Sequence, residues 1–163
     1  MPHTMKRIYL LVLPVLAILL ASCEGKNVST PVVRASSTII RTSAAGVQDT
    51  ISYQDTLCVG DTLRMGIIAS GNYNALTSFI AKADTNHVRV SLAWDEEYDQ
   101  YLTADADPAH GVLKFVPEQV YAIQTTLKYI PRTVGTHTIN MVVASDAGES
   151  YSPREYNFDI VVK

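Results

Sequence analysis

Along most of this chain apolar and polar side chains alternate with a period of two. Leu63, Met65 and Ile67 alternate with Thr62, Arg64 and Gly66, and Val88, Val90, Leu92 and Trp94 with Arg89, Ser91, Ala93 and Asp95. Tyr121, Ile123, Thr125, Leu127 and Tyr129 alternate with Gln124, Thr126 and Lys128. Ile139, Met141 and Val143 keep the rule, as do Tyr156, Phe158, Ile160 and Val162 against Asn157, Asp159 and Lys163. Successive strand residues point to opposite faces, so each run predicts a strand with one buried and one wet face. Leu76–Ala83, Gly111–Val116 and Ser36–Ile40 predict further, shorter strands, and Glu96–Leu102 alone suggests a helical turn.

Turn-forming clusters separate the runs: Val59-Gly60-Asp61, Ser70-Gly71-Asn72, Asp84-Thr85-Asn86, Ala109-His110-Gly111, Val134-Gly135 and Asp146-Ala147-Gly148. Seven or eight short strands at this spacing predict an all-β, antiparallel sandwich over residues 36–163, two sheets covering each other's apolar faces. Trp94, in phase with Val88 and Leu92, is expected in the core. Cys58, between Leu57 and Val59, is expected there too, as a small buried hydrophobe.

The N-terminal region breaks the pattern. Lys6 and Arg7 precede Ile8–Ala21, a stretch with no charged side chain that is interrupted by Pro14. It is shorter than the ~20 apolar residues a spanning helix needs. A positive start, an apolar middle and a small-residue end form a secretory signal layout over residues 1–22. Its end, Leu20-Ala21-Ser22-Cys23, resembles the lipobox of bacterial lipoproteins. That resemblance implies cleavage before Cys23, diacylglycerol on its sulfur and anchoring in a membrane. Residues 23–35, polar and containing Pro31, then read as lipid anchor and flexible tether.

The last third carries a second resemblance. Tyr129-Ile130-Pro131, the run from Gly135 through Asp146-Ala147-Gly148, and Tyr156–Val162 are similar to the closing hairpin of immunoglobulin-like domains of the cadherin-like and PKD type. This implies an immunoglobulin-like fold. His137 stands where many such domains place a corner tyrosine, and after lipidation Cys58 has no partner for a disulfide. Lipobox, tether and one sandwich together are similar to small cell-envelope lipoproteins of Bacteroidetes-type bacteria, which implies an outer-membrane location, periplasmic or surface-facing.

Charge and composition narrow the function. With 13 basic and 16 acidic residues the net charge is −3, which gives no basic face for nucleic acid. Acids concentrate in Asp95-Glu96-Glu97-Tyr98-Asp99 and Asp105-Ala106-Asp107. Asp105 and Asp107 resemble the Asp-x-Asp calcium segment of cadherins, but the Asp-x-Asn-Asp-Asn linker that completes such a site is absent. A solvated acidic loop is the simpler account, so no metal or other cofactor is expected. His87, His110 and His137 lack zinc-motif spacing, and there is no nucleophile elbow or phosphate-binding glycine loop. A glycoside hydrolase would need two of these acids facing each other across a cleft.

Tyr73, Tyr98, Tyr101 and Tyr151 fall in expected loops beside amides and acids. Such rings either cap the sandwich ends or form a ligand surface. The expectation is therefore a non-catalytic, lipid-anchored domain that binds or assembles with a protein or glycan partner. A carbohydrate-binding accessory of a glycan-uptake system is the alternative, and a small hydrolase the third reading.

Overall fold

The computed structural model describes residues 28–52 and 55–163. The alternating runs become strands: β1 (Val32–Thr42), β2 (Gln48–Ser52), β3 (Thr62–Ser70), β4 (Leu76–Lys82), β5 (Val88–Leu92), β6 (Val112–Lys114), β7 (Ala122–Pro131), β8 (Gly135–Ser145) and β9 (Arg154–Val162). Two 3-10 helices, η1 (Glu96–Tyr101) and η2 (Pro108–His110), lie between β5 and β6.

The strands form a five-stranded sheet in the order β2-β1-β3-β7-β5 and a four-stranded sheet in the order β6-β4-β8-β9. Within both sheets the paired strands run antiparallel. The order β1-β3-β7-β5 against β4-β8-β9 reproduces the ABED/CFG arrangement of an immunoglobulin-like sandwich. β2 and β6 extend its edges. The fold is thus the expected all-β sandwich, with β2 as an added strand.

The core follows from the alternation. Leu63, Met65, Ile67 and Ala69 of β3 and Leu127 and Tyr129 of β7 are fully buried. Phe79 of β4 and Ile139 and Val143 of β8 face them from the other sheet, also fully buried. Each such large side chain contributes roughly 1.5–3 kcal/mol over an exposed one. The wet face of β3 carries Arg64, Gly66 and Ile68.

A corner contact closes the turn between β7 and β8. The His137 ring Nε2–H donates to the Thr133 carbonyl at 2.8 Å. This links a β8 side chain to backbone four residues upstream, as a corner tyrosine does in immunoglobulin-like sandwiches. The His137 ring stacks on His87, with centroids 5.2 Å apart.

Three expectations need correction. Cys58 is exposed. Leu57 takes the inward position, bridging to Val162, so the period of two turns the next residue outward. The Asp61 carboxylate then accepts the Cys58 N–H at 3.1 Å and fixes the turn. Trp94 is only half-buried, because β5 ends at Leu92 and the indole stands past the last rung of the sheet.

The flexible tether is also shorter than residues 23–35. β1 begins at Val32, Pro31 is buried, and the Ser29 carbonyl accepts from the Asn74 amide at 3.1 Å. The lipobox, Cys23 and the signal segment lie outside the described residues. Among the described residues no helix is long and apolar enough to cross a membrane.

Candidate functional site

The register fixes which loops share an end. Val32 pairs with Ser70, Ser70 with Ala122, and Leu76 with Ser145. The start of β1, the β3–β4 turn with Tyr73, Tyr121 and the β8–β9 loop with Tyr151 therefore lie at one end, here termed the entry end. The turn between β1 and β2, Cys58–Asp61 and the turn between β7 and β8 lie at the far end.

On the flank near the entry end a cavity of about 420 Å³ opens between η1 and the start of β7. Trp94, Tyr98, Tyr101 and Tyr121 line it, together with the amides of Gln119 and Gln124. The Asp95 side chain accepts the Glu97 N–H at 3.2 Å and caps η1, which sets where the two tyrosines project. Tyr98 and Tyr101 sit 6.4 Å apart, tilted by 30°. Trp94 meets Tyr98 edge-on at 6.3 Å and leans on Phe115 of the core at 6.2 Å. The neighbouring Glu97 carboxylate raises the Tyr98 phenol above its ordinary pKa.

A second, wider groove adjoins the first and shares Trp94 and Gln124 with it. Gly66 and Ala93 open it by their small size, and Asp95 and Glu96 stand on its rim. The arrangement offers flat apolar faces, amides and carboxylates side by side, with no cationic side chain lining either cavity. Such a surface suits a ligand with apolar faces and hydroxyl or amide edges.

Of the four tyrosines singled out in the sequence, the cleft brings together Tyr98 and Tyr101. Tyr73 lies at the tip of the β3–β4 turn and Tyr151 in the β8–β9 loop, both away from the cleft lining. Tyr121 is a member that alternation alone placed inward with Ile123. The strand starts at Ala122, which frees the Tyr121 ring to the surface. The local signal for Tyr98 and Tyr101 is their place in a loop beside Asp99 and Gln100.

The carboxylates are occupied differently. Asp105 is held by the Lys114 ammonium and by the Thr103 hydroxyl, which donates at 2.6 Å. Lys114 and then Thr103 keep the Asp105 carboxyl below its ordinary pKa. Asp107 caps η2 and meets the His110 ring at 2.7 Å. These contacts fasten the Thr103–Lys114 loop rather than converge on one point. Among the described residues no group of three His, Cys, Asp or Glu side chains is placed to hold a metal ion. No protein-family model matches the chain, and neither does any curated protein.

Proposed function

We propose that the protein is a lipid-anchored, non-catalytic envelope protein that works by binding, and that its ligand enters the cleft formed by Trp94, Tyr98, Tyr101 and Tyr121. The convergence of these four rings at one flank carries the reading. Rigid aromatic side chains give large contact area for little lost conformational freedom. The state of Asp105 speaks against its use as a general acid. A general acid needs a raised pKa, whereas Asp105 is shifted the other way by Lys114.

The carbohydrate-binding alternative has an observation in its favour. Tyr98 and Tyr101 present neighbouring faces beside the Gln119 and Gln124 amides, a pairing suited to sugar rings and their hydroxyls. The acidic rim favours neutral over uronic-acid or nucleic-acid chains by simple repulsion. An array of neutral and acidic glycans probed with the domain tests this. Retention of neutral glycans that disappears in Tyr98→Ala/Tyr101→Ala supports it, and retention equal in both proteins overturns the cleft as the site.

A further inference from the structure

The polypeptide joins the sandwich at the same end as the most exposed aromatic ring among the described residues, Tyr73. We propose that this entry end rests on the bilayer that holds the Cys23 lipid, with Tyr73 and Val28 at the lipid–water interface. The inference rests on the anchoring reading above and adds a second, non-covalent membrane contact to it.

Chain length gives the first argument. Ser29 is already fastened to the β3–β4 turn through Asn74, and the Pro31 carbonyl accepts the Tyr156 hydroxyl at 3.3 Å. Only six residue steps separate Cys23 from Ser29, about 20 Å when fully extended. The nine residues of β3 span about 30 Å at ~3.3 Å per residue. An inverted domain would hold its entry end farther from the membrane than this linker reaches. The entry end therefore stays within about 20 Å of the bilayer.

The chemistry of that end gives the second. Tyr73 is 83% exposed and Val28 63%. Tyrosine suits the interface because its ring is apolar and its hydroxyl stays hydrated. The backbone commits to this display: Asn72 (φ 52°) and Tyr73 (φ 78°) are both left-handed, a conformation bulky residues avoid. Gly71 makes the tight turn feasible, since a Cβ there would lie 1.9 Å from the Asn74 carbonyl oxygen. The left-handed pair forms the centre of a tight turn closed by the Asn74 N–H, which donates to the Gly71 carbonyl at 3.2 Å, and this turn holds the Tyr73 ring clear of the domain. Glu118, Asp146 and Glu149 are exposed near this end together with Arg34 and Arg154, so the opposite charges largely offset one another and the contact does not need anionic lipid.

The test uses the native lipidated chain in phosphatidylcholine vesicles. In a Trp94→Phe background, tryptophan is introduced by Tyr73→Trp or, at the far end, by Val59→Trp, and quenching by bromine-labelled lipids is read. Strong quenching at position 73 with none at 59 is expected, unchanged by high salt. Equal, absent or reversed quenching in lipidated protein overturns this inference and leaves the anchor standing. A native chain whose mass shows no lipid at Cys23 overturns both. Amide exchange of residues 71–74 in the wild-type chain is the second measurement, independent of substitution: several-fold slowing on vesicles is expected, and no change contradicts the contact.

Discussion

Tyr129 offers a direct energetic test of the core. Its ring is fully buried between the sheets, and its hydroxyl meets no hydrogen-bond partner among the described residues. An unsatisfied buried hydroxyl costs about 1–3 kcal/mol relative to a hydrated one. Tyr129→Phe removes that oxygen and leaves the ring in place, at the expense of a gap smaller than a methyl group. The balance predicts a gain of about 1 kcal/mol, or roughly 2–4 °C in Tm for a domain of this size.

The same burial raises the Tyr129 pKa above the ordinary 10.0. Up to pH 10 both states keep the phenolic proton. Above it the unfolded chain releases the proton while the folded chain holds it. Folding stability from this group then falls with rising pH by up to about 1.4 kcal/mol per unit. Urea titrations at pH 7 and pH 11 measure both effects. The Phe variant should have the higher midpoint at pH 7, and its advantage should widen at pH 11. A Phe variant less stable at pH 7, with no widening, would refute the reasoning and assign the hydroxyl a partner.

Other outcomes follow from single contacts. Gly71→Ala drives a Cβ into the Asn74 carbonyl and should cost about 1–3 kcal/mol in urea unfolding. Tyr73→Gly relieves a left-handed bulky residue and should add about 1 kcal/mol to the unfolding free energy from the same urea titration, while abolishing the vesicle protection of residues 71–74. Lys114→Met removes the main partner of Asp105, whose carboxyl should move up toward its ordinary pKa in an NMR titration; an unmoved titration would show that Lys114 does not set it.

What was legible in the sequence, and what was not, has physical causes. β3, β7 and β8 each bury one face against the opposite sheet, so a period of two is written in their residues. β2 pairs only with β1 and exposes all its residues except the half-buried Ile51, so it has no buried face to imprint a pattern. Cys58 misled because its apolar neighbours suggested burial, whereas alternation from Leu57 sends it outward. Residues 29–34 read as tether by composition, yet they are held by contacts to Asn74 and Tyr156, far away in sequence. The cleft was half legible. Tyr98 and Tyr101 stand out locally, but their meeting with Tyr121 and Gln124 depends on β7 lying beside β5.

Trp94 is the single tryptophan of the chain and lies in the cleft wall, so its emission reports on the site without a label. The decisive measurement is a titration of the wild-type domain with the neutral oligosaccharide retained best on the array, following Trp94 fluorescence. A saturable change in intensity or wavelength, weakened at least tenfold in Tyr98→Ala, is the predicted result. Saturable binding by calorimetry with Trp94 emission unchanged would contradict the account, since the ligand would then be held elsewhere.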